Sequence, residues 1–391
     1  MKVAGVIAEY NPFHRGHAYH LEQVRRHFDA VVVVMSSYFT QRGEAAILSP
    51  VDRAEMALRC GADAVFALPA PWAVRDAEHF ALGGVAILDG LGVDGISFGA
   101  ETADLPLLRQ TAELLEHPTD IMQAALRRQL DSGLPYPAAI SRAMAEVHPD
   151  AGALLATPNN TLAVCYLRAM MRLKSTMDVL PVTRQGDYHD TTLTEAFPSA
   201  MALRGAMMRG DWAGVKQGLP EAAWDVLQSA AQAGRICRPD ALDALVIHTL
   251  RSLGEKAATL PDVSEGIECR LCASAMKHAR REDVLQDAKT KRYPYARLSR
   301  MCTHALLHMT DADLLKQELP RSALLLGAGP RFREVMQSLR RKDDFAILGS
   351  GSDLRNHAEE WKTEILAGEM WAIGAGQPGG LAFTQGVARG K

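Results

Sequence analysis

Cysteine is scarce: six residues in 391, too few and too scattered for a disulfide framework. Long apolar runs are missing as well. Ala30–Met35 is the longest candidate near the start, whereas about 18 residues are needed to cross a membrane. Met1 leads straight into a strand pattern, with no basic region, apolar segment and cleavage site, so a cytoplasmic protein without membrane attachment is expected. Charge of one sign is absent too. The 43 Lys and Arg against 46 Asp and Glu leave −3, which excludes a wholly basic nucleic-acid coat but allows a local basic face. There is no internal repeat and no low-complexity block. What is present is ordinary globular chemistry: 48% hydrophobic and 23% charged residues exclude collagen-like, coiled-coil and disordered readings, and the length argues for two or three domains.

Short β-branched runs alternate with helical patterns over the first hundred residues. Val3 to Glu9, Val31 to Met35, Ala64 to Leu68 and Gly95 to Phe98 read as buried strands. Helical spacing lies between them, at about 18–28, 51–60 and 76–88. This alternation predicts an α/β fold with a Rossmann-like parallel sheet covered by helices on both faces. Residues 103–175 read as mainly helical, and Val179 to Thr183 as a last strand of that sheet. The expected organisation is a nucleotide-binding domain over 1–198, a helical region over 199–320 and a small C-terminal α/β module over 321–391, with a loose Gly-rich tail from Gly374.

The turn after the first strand carries the chemistry: Glu9-Tyr10-Asn11-Pro12-Phe13-His14-Arg15-Gly16-His17. In open α/β sheets, ligands bind at the carboxyl ends of strands, and phosphate sits on the next helix N-terminus. Gly16 lets backbone approach a phosphate, and His14 and His17 can donate hydrogen bonds to phosphoryl oxygens as charge develops. Other candidates are weaker. Gln41 and Arg42 follow the second strand, where Arg42 holds a phosphate or acetate or simply pairs with Glu44. Gly99 ends the fourth strand, as a site of close approach for adenosine or as a plain turn glycine. Asn159 and Asn160 precede an apolar helix; one is expected to cap it and the other to contact nucleotide. Arg184 offers a cation for phosphates, while Asp187, His189 and Asp190 read as a polar turn. Residues 277–300 hold eight cations and three acids. There, Lys289, Lys291, Arg292 and Arg297 with Tyr293 form a candidate RNA surface, cations for the backbone and a ring for an unpaired base. Cys269, Cys272, Cys302, His304 and His308 match no common zinc spacing, so no metal site is expected.

His14-Arg15-Gly16-His17 resembles the HxGH signature of the nucleotidyltransferase superfamily. The segments GVIAEYNPFHRGHAYHL, QRGEAA, AEHFALGG, GVDGISFGAE, PNNTLAVCYL, TRQGDYHD, GIECRL and KTKRYPYARLSRM follow, in order, the pattern of the tRNA(Met) cytidine acetate ligase family. Departures lie at Ser37-Tyr38-Phe39, where the family pattern has Gly-Asn-Phe, at Ala100 in place of Ser and at Ala296 in place of Thr. The resemblance implies ATP as substrate, accompanied by Mg²⁺, with acetate and elongator tRNA(Met) as the other partners. Acetyl-adenylate forms first, and its acetyl group then passes to N4 of the wobble cytidine. It also implies catalytic roles for His14 and His17. Nucleotide contacts are implied for Ile7, Ala8, Glu9, Tyr10, Asn11, Pro12, Phe13, Arg15, Gly16, Ala18, Tyr19, His20, Gly99, Asn159, Asn160 and Arg184. The alternatives are a small-molecule adenylyltransferase and a non-catalytic, nucleotide-gated RNA-binding regulator.

Overall fold

Four runs of Val, Ile, Ala and Phe too apolar to face water on either side make the centre of a sheet. The computed structural model describes residues 1–185 and 197–390. Asp187, His189 and Asp190 lie outside the described residues. The strands are β1 (Val3–Ala8), β2 (Ala30–Ser36), β3 (Ala64–Leu68), β4 (Gly95–Ala100), β5 (Asp178–Thr183), β6 (Ser322–Ala328), β7 (Ala346–Leu348) and β8 (Ala388–Arg389). They form one sheet in the order β5-β4-β1-β2-β3-β6-β7, with β8 beside β6. The first five run parallel, and β6 lies antiparallel to β3. The chain order reverses at β1, which sits between β2 and β4, so a crevice opens at the carboxyl ends of β1 and β4.

The helices before β5 are α1 (Arg15–Arg25), α2 (Pro50–Arg59), α3 (Ala70–Ala73), α4 (Ala77–Leu91), α5 (Leu105–Glu116), α6 (Asp120–Asp131), α7 (Tyr136–Val147), α8 (Pro149–Leu154) and α9 (Pro158–Leu173). The helical region brings α10 (Ala200–Met208), α11 (Trp212–Gly218), α12 (Glu221–Gln232), α13 (Asp243–Ser252), α14 (Ile267–Lys277), α15 (Arg281–Ala288), α16 (Tyr295–Leu306) and α17 (Asp311–Leu315). After it come α18 (Phe332–Ser338), α19 (Gly351–Asn356), α20 (Lys362–Gly374) and α21 (Leu381–Thr384). No described helix is long and apolar enough to cross a membrane.

Alternation along the strands builds two cores. Val3, Ile7, Val32, Val34 and Phe66 face α4 and α9, while Ala4, Val6, Val31, Val33 and Val65 face α1, α2 and α12. Each Val or Ile buried this way stabilises the fold by about 1.5–3 kcal/mol. A third cluster joins α13–α16 to α20 and to Tyr38 and Phe39 at the end of β2.

Two features depart from the sequence reading. Residues 321–391 place β6, β7 and β8 on the edge of the central sheet, because Phe66 and Ala64 of β3 offer an unpaired backbone that β6 completes. The tail from Gly374, expected to be loose, carries α21 and returns to the sheet as β8. From there α20 reaches back to the site. The Glu364 carboxylate accepts the Ala70 N–H at 2.7 Å, and Trp371 Nε1 donates to the Ala46 carbonyl at 2.6 Å.

Candidate active site

β1 hands over to α1 through a turn whose shape is fixed by backbone and buried side chains. Tyr10 adopts a positive φ of 47°, and Phe13 is fully buried. Asn11 Oδ1 accepts the Ile47 N–H at 2.9 Å, and the Asn11 carbonyl accepts Arg204 Nη1 at 2.9 Å. Beneath it the buried Arg53 donates to the carbonyls of Glu9 (2.6 Å) and Ser36 (2.9 Å). A guanidinium thus knits the ends of β1 and β2 where their ladder stops.

His14 is the N-cap of α1. Its Nδ1 accepts the Gly16 N–H at 3.1 Å, and His17 Nδ1 accepts the His14 N–H at 3.2 Å. This is a capping box made of two imidazoles. The rings stack with centroids 3.6 Å apart. A Cβ on residue 16 would lie 3.0 Å from His14 Cε1, so glycine lets the His14 ring fold over its own helix end without crowding. Because both Nδ1 atoms accept, each neutral ring carries its proton on Nε2. Burial, with the nearby Arg184 charge, pushes His14 down to about 3, and burial with the charges of His14, Arg184 and His20 holds His17 well below its ordinary value. His20 falls to about 4 through burial. Its Nε2 donates to Ser97 Oγ at 2.9 Å, since the Ser97 proton goes to the Leu180 carbonyl. At neutral pH the site therefore presents uncharged N–H donors at a helix N-terminus, suited to phosphoryl oxygens.

These groups line a cavity of about 830 Å³. Ile7, Ala8, Glu9, Tyr10, Asn11, His14, Gly16, His17, Tyr19 and His20 reach it, together with Gln41, Arg42, Gly99, Asn159 and Arg184. The rest of the turn does other work. Phe13 packs in the core, and Arg15 points away to donate to the Gln217 carbonyl at 2.7 Å. Pro12 and Ala18 are not among the lining residues. A Cβ on Gly99 would meet nothing within 4 Å, so that strand end is open to the cavity. Neither Asn159 nor Asn160 caps α9, contrary to the sequence reading; Thr157 does, without a side-chain hydrogen bond. Glu101 instead takes the α9 N-terminus, accepting the Asn159 N–H at 3.2 Å, Asn159 Nδ2 at 2.7 Å and the Asn160 N–H at 2.8 Å. Asn160 turns inward, its Oδ1 accepting the Thr102 N–H at 3.0 Å.

Sequence reasoning missed Arg204. It lies about 190 residues from the turn in sequence, yet it lines the cavity and pairs with Glu44 at 3.0 Å. Glu9 Oε1 accepts the Gln41 N–H at 2.6 Å, and burial raises the Glu9 carboxyl above its usual range.

The basic stretch lies apart from the cavity lining. Lys289 and Lys291 are exposed between α15 and α16. Arg292 pairs with Glu265, and the Tyr293 hydroxyl donates to the Glu265 carbonyl at 3.0 Å. Arg297 donates to the Asp262 carbonyl at 2.9 Å and to Ser264 Oγ at 2.7 Å. Three residues of the stretch are thus engaged in pinning the loop that leads into α14. His304 is buried and bonded to the Val74 carbonyl at 2.7 Å. Among the described residues, no group of three or more His, Cys, Asp and Glu gathers to hold a metal ion.

The chain has relatives over nearly its whole length. The family model described as HIGH Nucleotidyl Transferase matches residues 1–379. A protein of Fervidobacterium nodosum named tRNA(Met) cytidine acetate ligase is 34% identical, across 95% of this chain and 90% of its own. One of the same name from Acetivibrio thermocellus is 31% identical across 99% of both chains. The crystal structure of Thermotoga maritima TmcAL bound with alpha-thio ATP superimposes with a TM-score of 0.93 at 27% identity, covering 100% of this chain and 99% of that one.

Proposed function

We infer the function from this premise: the chain belongs to the HIGH nucleotidyl transferase family and, within it, to the tRNA(Met) cytidine acetate ligases. It is an ATP-dependent ligase that activates acetate and passes the acetyl group to cytidine N4 of elongator tRNA(Met). One observation carries the reading: two stacked neutral imidazoles at the switch point, both with Nδ1 tied to backbone and Nε2–H left to donate.

Acetate is a poor acyl donor because oxide would have to leave. In the first step an acetate oxygen attacks the α-phosphorus, the bond to the bridging oxygen breaks and pyrophosphate departs. His14 and His17 donate to the phosphoryl oxygens as their charge grows, while Arg184 offsets the charge of the leaving group. The amine of the wobble cytidine then attacks the acyl carbon and loses a proton, and AMP leaves with the electrons of the acyl C–O bond. No covalent protein intermediate is needed. In this reading Arg42 and Gln41 receive the acetate carboxylate and Gly99 and Asn159 border the nucleoside, a reading supported by all four lining the cavity. Mg²⁺ arrives with ATP as part of the substrate. Bound there, the ion would offset phosphate charge and would be held by the phosphates, water and the cavity-lining Glu9, while Glu44 and Glu101 are engaged by Arg204 and by α9. The exposed Lys289 and Lys291 form the RNA-facing cations.

Incubating the protein with ATP, labelled acetate and elongator tRNA(Met) is expected to label the RNA. Without RNA, pyrophosphate release that depends on acetate is expected. His17→Ala lowers that release at least 100-fold and leaves RNA binding within about twofold. Transfer of AMP to a small phosphate acceptor instead would favour the adenylyltransferase alternative. RNA affinity lost in parallel with release would make the histidine structural.

A further inference from the structure

The loop that follows β2 is held from outside by helices that the sequence assigns to RNA. The Arg42 carbonyl accepts Ser299 Oγ at 2.6 Å. The next carbonyl, of Gly43, accepts Thr303 Oγ1 at 2.7 Å and Arg281 Nη2 at 2.7 Å. Arg281 Nη2 also donates to Ser299 Oγ at 2.6 Å, so the three side chains form one connected set. Contact extends to the backbone: Gly43 has φ +71°, and a Cβ there would lie 2.7 Å from the Arg300 nitrogen and Cα. Only glycine lets the loop come this close to α16. On its cavity side the same loop is fixed by Glu9 to the Gln41 N–H, by Gln41 Nε2 to the Arg75 carbonyl at 2.7 Å and by Glu44 to Arg204. Two peptide carbonyls in succession are thus turned towards α16, while the Gln41 and Arg42 side chains line the cavity.

We propose that Arg281, Ser299 and Thr303 are positioning residues of the acetate-activating site: through the Arg42 and Gly43 carbonyls they set the loop from which Gln41 and Arg42 meet the carboxylate. The proposal rests on the functional reading above and deepens it. The α15–α16 pair becomes a working part of the first half-reaction, before any RNA binds. A guanidinium directed at a peptide oxygen is an expensive way to fold a surface loop but an effective way to fix one. Acetate is small and offers only its carboxylate as a polar handle, so a loop displaced by a fraction of an ångström weakens acetate binding more than ATP binding, which has many contacts.

Thr303→Val keeps the shape and removes the donor, whereas Thr303→Ser keeps the donor. Acetate-dependent ATP–pyrophosphate exchange without RNA reads the site, calorimetry reads ATP affinity and thermal unfolding reads the fold. Thr303→Val and Ser299→Ala are each expected to raise the acetate KM roughly three- to tenfold, since each removes one hydrogen bond to a loop carbonyl. The maximal exchange rate and ATP affinity stay within about twofold, and Thr303→Ser restores the acetate KM. Acetate KM unchanged in both variants overturns the proposal alone, as does a parallel fall in ATP affinity and melting temperature that Thr303→Ser does not reverse. Wild-type protein that exchanges no pyrophosphate with acetate overturns the functional reading and this proposal together.

Discussion

A histidine serves phosphate as a dipole only if its proton stays on the outward nitrogen, and here backbone N–H groups enforce that for His14 and His17. The same burial that keeps these rings and His20 neutral has a cost in acid. Their folded pKa values lie below the unfolded value of about 6.5, near 3 for His14 and near 4 for His20. As pH falls through 6.5, the unfolded chain takes up protons that the native rings refuse. This contribution to stability is therefore whole above pH 6.5 and is lost progressively as pH falls through about 4 for His20 and about 3 for His14. His20→Gln preserves a donor for Ser97 and removes one such group. Urea titrations at pH 7.5, 5.5 and 4.5 are expected to show a shallower fall than wild type, by up to about 1.4 kcal/mol per pH unit. Parallel curves would mean that His20 takes up its proton at the same pH in the folded and the unfolded chain. The histidine pair was legible in the sequence because its geometry is local: four contiguous residues cap one helix. Arg204 and Arg53 were not, since nothing near them in the chain marks an arginine as bound for a carbonyl at the end of β1.

Helix ends decide how the cavity wall is held. α9 begins at Thr157 without help from that side chain, and Glu101, directly after β4, takes two of its backbone donors and the Asn159 side-chain amide. A carboxylate at a helix N-terminus meets both the orphan N–H groups and the helix dipole. Glu101→Ala is expected to cost about 1–2 kcal/mol, measured by denaturant unfolding, with nucleotide affinity falling because Asn159 loses its anchor. Stability within about 0.5 kcal/mol of wild type, the usual range of a neutral surface substitution, would remove Glu101 from this role. The departure at Ser37-Tyr38-Phe39 also has an element-level answer. The Tyr38 ring lies 6.1 Å from that of Trp371 and against Gly368, where a Cβ would come within 3.1 Å of it. A larger residue at the end of β2 is accommodated by a missing side chain on α20. The sequence displays Tyr38, and only the packing of a helix 330 residues downstream displays what receives its ring.

Across the whole molecule, the charge count over 277–300 overstated the basic face. Counting sees side chains, not their partners, and Arg281, Arg292, Arg297 and Arg300 are spent on Gly43, Glu265, Asp262 and Ser264. Lys289 and Lys291 remain outward. Replacing both with Ala is expected to weaken tRNA binding and to reduce the slope of log affinity against log salt by about 1–2. Filter binding over a salt series measures it, and an unchanged slope would place the RNA elsewhere. The parallel half of the sheet was readable from β-branched runs that alternate with helices. The contribution of residues 321–391 was not, because strand pairing across such a separation leaves no periodic trace in either strand. That separation shapes how the protein is made. β3 leaves the ribosome roughly 250 residues ahead of β6, and at about 5–20 residues per second its outer rim waits some tens of seconds for a mate. A nascent chain with a bare, apolar strand border over that interval is a natural client for chaperones, and its yield should follow the supply of them more closely than its final stability would suggest.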